Sequence, residues 1–424
     1  MKSQTWPIVA LGSRTKFLSG GTPSKAEGRY WNGDIPWIGS GEMSEQRIEK
    51  TTHSVTSDGA QNGTRLVQRN TVLIVVRGMS LAKECRVSLT TRESTFNQDV
   101  KALDLNPEVD PFFVFYYLRS QKFRLRDAAS EAAHGTKKLD TPVLEQWPFP
   151  NIPFVVQRKI AAILTAYDDL IATNKRRIAL LEKMAEELYR EWFVRMRFPG
   201  HQNTKFIKGI PEKWDMRKIE DAFEFTGGGT PSKKIPSYWS ESDVNWFTPS
   251  DITGAAGIFL SDSGDQCSEE GLARSSAKMF PANSVMMTSR ATIGAIGINR
   301  TPACTNQGFI TCIPNKHYPL CYLYQWLKLA KPYFEQLCGG ATFPELTKGT
   351  FKKIEIITPP EDLIQEFSGI SEPIFEAIQS GLEQNENLTK TRDLLLPRLI
   401  SGKLSVEDLD IQFPPSMQDH YGNP

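Results

Sequence analysis

Gly20-Gly21-Thr22-Pro23-Ser24-Lys25 and Gly228-Gly229-Thr230-Pro231-Ser232-Lys233 spell the same six residues, GGTPSK, 208 positions apart in a chain of 424. A glycine-rich stretch closing on lysine raises the question of a nucleotide loop. A P-loop needs glycine, four residues, then Gly-Lys-Ser/Thr running into a helix, so that backbone amides wrap phosphate and the hydroxyl holds magnesium. Here each lysine follows a serine, no glycine precedes it, and Pro23 or Pro231 removes an amide from the cradle. The stretch is therefore no P-loop, and its information lies in its recurrence.

The match extends in both directions. Trp6 meets Trp214, Tyr30-Trp31 meets Tyr238-Trp239, and after one inserted residue Asp34 and Trp37 meet Asp243 and Trp246. The strand-like NTVLIVVRG (70–78) parallels NSVMMTSRA (283–291), which pairs Arg77 with Arg290. Asn97-Gln98 falls opposite Asn306-Gln307, GTKKL (135–139) opposite ATFPEL (341–346), and PNIP (150–153) opposite ITPP (357–360). A period near 208 residues is too long for a solenoid and suits a duplicated domain with its connector. Two such units in one chain imply a pseudo-twofold molecule.

Each copy ends in a long helical pattern. From Val155 to Phe193 the chain runs 39 residues without Gly or Pro, after the helix-blocking Pro150 and Pro153. Ile160, Leu164, Tyr167, Ile171, Asn174, Ile178, Leu181, Ala185, Leu188 and Trp192 alternate in steps of four and three, which sets them on one coiled-coil seam. The helix would reach roughly 58 Å, against about three turns for an average globular helix. The second copy repeats the seam with Phe367, Ser371, Ile374, Ile378, Gly381, Asn385, Leu388, Arg392, Leu395 and Leu399, and Pro373 and Gly381 are expected to interrupt it. The pattern predicts that the two helices pack antiparallel as a spacer, with Asn174 and Asn385 setting register.

The globular parts read as mixed α and β. Apolar runs at Asn70 to Arg77, Ser284 to Ser289 and Gly308 to Ile313 lie among turn residues, and helical stretches at Phe112 to Ala129 and Tyr318 to Leu337 follow them. The expected fold class is α+β: two similar mixed α/β domains, 1–153 and 214–360, with spacer helices at 154–196 and 361–402. A linker at 197–213 and an acidic tail at 403–424, expected to fray, complete the division. No window approaches eighteen uninterrupted apolar residues, and the N-terminal stretch MKSQTWPIVALGS lacks the apolar core of a signal peptide, so a cytoplasmic chain without membrane partners is expected. Six scattered cysteines, without a Cys-x-x-Cys pair, favour neither zinc nor disulfides. The net charge of +1 conceals +9 over residues 1–360 and −8 over the remainder.

Catalytic readings fare poorly. Phe225-Thr226-Gly227-Gly228-Gly229 fits the Phe-x-Gly-x-Gly loop by which many DNA methyltransferases hold S-adenosylmethionine, but the first copy has Ser19 in place of the leading glycine. The companion Asp/Asn-Pro-Pro-aromatic motif is absent: Pro359-Pro360 precedes Glu361 and Pro414-Pro415 precedes Ser416. None of the five histidines occupies a matched position in both copies. No metal site or catalytic residue is assigned, and the chain reads as non-catalytic.

The ordered set of motifs resembles the DNA-specificity subunit of type I restriction-modification systems over about residues 1–402. It rests on the Trp-led opening of each unit (Trp6, Trp214), GGTPSK with the following Tyr-Trp, the Arg of VVRG and TSRA, the Asn-Gln pairs, and the Pro-rich exit into a helix with an early Gln (Gln157, Gln365). The resemblance implies that each globular unit is a target-recognition domain reading one half of a split double-stranded DNA site, with the helices setting the gap. It further implies a scaffold for two modification subunits, which methylate adenine, and two restriction subunits. S-adenosylmethionine, ATP and Mg then belong to those partners, and this chain binds no cofactor. Two readings compete: a free-standing DNA-binding regulator, and an intrinsic DNA methyltransferase.

The copies diverge most between Ser44 and Asn70 and between Thr253 and Asn283, read as loops carrying base-reading side chains, so two different half-sites and a non-palindromic target are expected. Candidate DNA-contacting residues are Lys25, Arg77, Lys137, Lys138, Lys233, Lys234 and Arg290. For the two arginines a structural ion pair is the alternative. The Asn-Gln pairs, shared by units that would read different sites, are read as turn or capping elements, and GGTPSK as a tight turn opening each unit.

Overall fold

A computed structural model describes residues 6–44, 46–131, 136–239, 244–339 and 344–421. The sequence matches at Gly135, Asp243 and 341–343 lie outside these described residues. The chain divides into two compact units, Met1–Ala172 with Asn387–Pro424, and Thr173–Glu386. Each therefore contains one globular copy with a half of each long helix, so the helices do not form a body of their own.

In the first unit a five-stranded sheet runs in the order Thr15–Ser19, Val100–Leu105, Val72–Val75, Val87–Thr90, Arg47–Ile48. Val72-Leu73-Ile74-Val75 is buried on both faces, which is why its sequence is continuously apolar rather than alternating. Val72 and Ile74 pack into a core with Phe113 of the helix Pro111–Ser120, whereas Leu73 and Val75 pack with Ile38 and Phe96. The latter belong to a second sheet, ordered His53–Val55, Trp31–Ile38, Ser94–Phe96, Leu66–Val67. The predicted helix over 112–129 is two, Pro111–Ser120 and Lys122–Asp127, the first opened by Pro111 and capped by Asp110 Oδ1 accepting from the Phe113 amide at 2.8 Å.

The second unit repeats this plan, except that among the described residues its second sheet has three strands, with no counterpart of Leu66–Val67. Its five-stranded sheet runs Phe225–Gly227, Phe309–Cys312, Val285–Thr288, Ile296–Asn299, Phe259–Leu260, with the last strand parallel to its neighbour as Arg47–Ile48 is in the first unit. Its second sheet, Asp265–Cys267, Val244–Phe247, Ala303–Thr305, keeps the same parallel pairing as Trp31–Ile38 with Ser94–Phe96. Asn70 and Asn283, at matched turns before the central strands, both take left-handed backbone (φ 63 and 61), which asparagine tolerates better than most side chains. The divergent stretches 44–70 and 253–283, expected from sequence to be loops, are not free loops. Each holds an edge strand, a second-sheet strand and a short helix in the same order, and the first adds the strand Leu66–Val67, so side chains have changed on a largely kept backbone.

The long helices are Phe154–Tyr189, continued by a wide turn over Arg190–Val194, and Glu361–Ile400. In the first unit Ile160 and Leu164 share a core with Leu395 and Leu399; in the second, Ile178, Leu181, Ala185, Leu188 and Trp192 share one with Phe367, Ile374 and Ile378. Low numbers of one helix thus meet high numbers of the other, the antiparallel packing that the seam predicts. The expected interruption at Pro373 and Gly381 does not occur. Pro373 and Gly369 are both exposed, so a carbonyl that proline leaves without its helical donor can be satisfied by water, and at Gly381 a Cβ would lie 3.0 Å from Ile178, so glycine permits close helix approach. Asn174 Nδ2 donates to Gln384 Oε1 at 3.4 Å rather than to Asn385.

The second helix closes at Gly402 (φ 69), a left-handed cap. Over its described residues, 403–421, the tail beyond packs back rather than fraying. Val406 and Met417 are buried in the first unit's core, Arg158 lies 4.4 Å over the Phe413 ring, and Pro415–Tyr421 forms a short helix. Apolar residues spaced through an acidic segment carry it back onto the domain. The linker stretch includes a hairpin, Phe206–Ile207 with Ile210–Pro211, whose Lys208 and Gly209 both have positive φ as a tight two-residue turn requires.

Candidate nucleic-acid interface

GGTPSK is a clamp rather than a tight turn. In both units the two glycines continue extended from the first sheet strand, and the turn falls only at Lys25–Ala26 and Lys233–Lys234. A Cβ at Gly20 would meet the Phe96 carbonyl oxygen at 2.2 Å, and one at Gly228 the Asn306 carbonyl oxygen at 2.0 Å. Glycine is required here for close backbone approach, not for a left-handed φ. The Gly21 and Gly229 amides donate to the carbonyls of Phe96 and Thr305, both at 2.9 Å.

The other repeated motifs hold this clamp. Thr22 Oγ1 donates to Gln98 Oε1 at 2.8 Å and Thr230 Oγ1 to Gln307 Oε1 at 2.7 Å. Trp37 and Trp246 indole nitrogens donate to the carbonyls of Gly21 and Gly229, while Trp31 and Trp239 donate to those of Ser24 and Ser232. Asn97 Oδ1 accepts from the Asp99 amide and Asn306 Oδ1 from the Gly308 amide, the turn role read for them from sequence. Four motifs scattered over about eighty residues are therefore one hydrogen-bonded knot. The matched Gln157 and Gln365 part company: Gln157 is buried and accepts from the Asp110 amide, whereas Gln365 is exposed.

The candidate cations divide in their surroundings. Arg77 is exposed at the end of the central strand, opposite Lys138 in a three-strand ladder with 130–131 and 137–138. Lys138 pairs with Asp140, and Lys137 stands across the ladder from Glu131. Arg290 has Glu345 at the ladder position of Lys138, and Nε donates to its carboxylate at 2.8 Å, the ion-pair alternative realised in this copy. Lys233 lies 3.7 Å from Asp265 and 5.3 and 5.5 Å over the Trp239 and Trp246 rings. Lys25 and Lys234 are exposed, and neither has an ion pair among the described residues.

A buried charge cluster in the first unit escaped the sequence reading. Asp168 accepts from Tyr116 Oη at 2.6 Å and pairs with Arg392, with Arg119 at 3.9 Å; the neighbouring Asp169 pairs with Arg47 and accepts from Ser416 Oγ. Burial, with the Asp168 carboxylate beside it, pushes the Tyr116 phenol well above its ordinary range, so it remains a donor. The cluster ties the recognition sheet, both helices and the tail together. Its signal in sequence was Arg392, a charge at a seam position.

Among the described residues no group of three or more His, Cys, Asp or Glu is placed to hold a metal ion, and no helix is long and apolar enough to cross a membrane. Twin α/β units, each with an exposed sheet edge bearing cations and each carrying half of an antiparallel helix pair, define a duplicated recognition protein. Its fold is that of the type-I restriction-modification S subunit from M. genitalium, with a TM-score of 0.58 at 17% identity, covering 94% of this chain and 97% of that one. The family model for the type I restriction modification DNA specificity domain matches residues 3–183 and again 211–381. The chain belongs to this family. Among its relatives, the type I restriction enzyme MjaIX specificity subunit of Methanocaldococcus jannaschii is 25% identical over 424 residues, 95% of this chain and 94% of that protein. The HindI specificity subunit of Haemophilus influenzae is 34% identical over 200 residues, 46% of this chain and 42% of that protein.

Proposed function

We propose that the chain is the non-catalytic, DNA-reading subunit of a type I restriction-modification assembly, each unit reading one half of a bipartite, non-palindromic site. The observation that carries this is the pairing of one backbone plan with two sets of surface side chains: the same order in the five-stranded sheets, but Lys138 where the other copy has Glu345, and His53 where it has Asp265. Equal scaffolds with unequal reading surfaces suit two different half-sites.

In this reading two modification subunits dock on the chain and methylate adenine from S-adenosylmethionine, and two restriction subunits use ATP and Mg; this chain positions them and supplies no reacting group. Mapping methylated adenines across the genome with and without the gene tests it. Loss of one split, asymmetric motif is the expected result. An unchanged methylation map, or methyl transfer by the isolated chain, refutes the reading.

A further inference from the structure

Matched positions in the two units differ in one consistent respect: whether the cation is neutralised by an acid on the adjoining strand. In the second unit, Arg290 is bridged to Glu345 and its guanidinium is bound by that carboxylate at 2.8 Å. Lys233, the lysine of the second GGTPSK, lies 3.7 Å from Asp265, which the register sets opposite Trp246. In the first unit the same two ladder positions carry bases. Lys138 stands opposite Arg77, and His53 stands opposite Trp37. Arg77 and Lys25 consequently have no ion pair among the described residues, and both side chains are exposed.

The two substitutions are independent. One lies at Lys138 in the middle strand of the three-strand ladder, matched by Glu345, and the other at His53 on the edge strand of the second sheet, matched by Asp265, yet both place an acid in the second unit where the first has none. A cation already satisfied by a carboxylate gains little from a phosphate, because the ion pair must be broken or the acid's repulsion accepted. A free exposed cation releases condensed counterions when it meets the backbone.

We infer that the two recognition units hold DNA by different physics. At these matched positions the first unit anchors the phosphate backbone through Arg77 and Lys25, whereas Arg290 and Lys233 of the second, neutralised internally, contribute contacts of little salt dependence and leave Lys234 as that unit's exposed candidate cation without an ion pair among the described residues. The inference rests on the DNA reading proposed above and assigns its electrostatic component to one unit. Salt sensitivity carried by these matched cations is then a property of the first unit.

The test uses the full chain assembled with its methyltransferase subunits and a fluorescein-labelled duplex carrying the mapped motif. Anisotropy titrations across about 50–200 mM KCl yield the slope of log affinity against log salt. Arg77→Gln and Lys25→Gln are each expected to flatten the slope by about 0.9, the value of one lost phosphate contact. Arg290→Gln and Lys233→Gln are expected to leave it unchanged. Glu345→Gln, which frees Arg290 without removing it, is expected to steepen the slope, and it probes the same pair should Arg290→Gln disturb the fold. Equal flattening by substitutions in both units, or no flattening by Arg77→Gln and Lys25→Gln, overturns the inference while leaving DNA recognition intact. If the unaltered assembly binds the motif duplex no more tightly than a scrambled one, the DNA reading falls and this inference falls with it.

Discussion

Replacing Arg392 with alanine removes the guanidinium that faces Asp168 inside the first unit. Both residues are nearly inaccessible, Arg392 at 5% and Asp168 at 8% exposure, so the remaining carboxylate stays buried without its main counter-charge. Breaking such a pair costs about 3–5 kcal/mol. Tyr116 Oη at 2.6 Å and Arg119 at 3.9 Å still face Asp168, which places the expected loss at the lower end, about 3 kcal/mol. With a urea m-value of about 3 kcal/mol per molar, the midpoint of the first unit falls by about 1 M. Two units need not unfold together. Pulse proteolysis with mass-spectrometric readout of cleavage within residues 1–172 therefore follows the first unit separately. The paired replacement Asp168→Leu with Arg392→Met removes both charges and is expected within about 1 kcal/mol of the natural chain. An Arg392→Ala midpoint shift below about 0.3 M, or a double variant as unstable as the single one, would refute the claim that an uncompensated buried charge is the cause.

Gly20→Ala and Gly228→Ala, each driving a Cβ to within 2.2 or 2.0 Å of a carbonyl oxygen, are expected to destabilise their own unit by about 2 kcal/mol or more, and unchanged melting would contradict the clamp. Ala291 holds a left-handed φ of 58, so Ala291→Gly should stabilise by about 1 kcal/mol, read as a rise of about 2–4 °C in Tm. A chain ending at Ser401 uncovers the core beneath Val406 and Met417, and a loss of about 3 kcal/mol or more in the first unit is expected; full stability would mean the tail only rests on the surface.

Much of the fold was legible because it depends on local periodicity. The continuous apolar run Val72–Val75 announces a strand buried on both faces, and the four-three steps from Ile160 to Trp192 announce a paired helix. Other features were misread for definite reasons. Pro373 looked like a break because the local rule ignores which side faces water. The divergent stretches looked like loops because a strand of two or three residues, such as Arg47–Ile48, has too few positions to show alternation. The candidate site was legible as repeated motifs without their meaning. Thr22 with Gln98, and Trp37 with Gly21, signify a clamp only when the chain folds them together.

Sequence alone determined that the chain is one domain written twice and joined through paired helices, because duplication and helical spacing are written in residue order. Tertiary structure alone decided which cations remain free. Arg77 and Arg290 are the same letter at the same motif position, but each guanidinium responds to the residue opposite it in the ladder, Lys138 in one copy and Glu345 in the other. Those partners lie 61 and 55 positions away along the chain. Coulomb interaction depends on distance in space, and only strand register sets that distance.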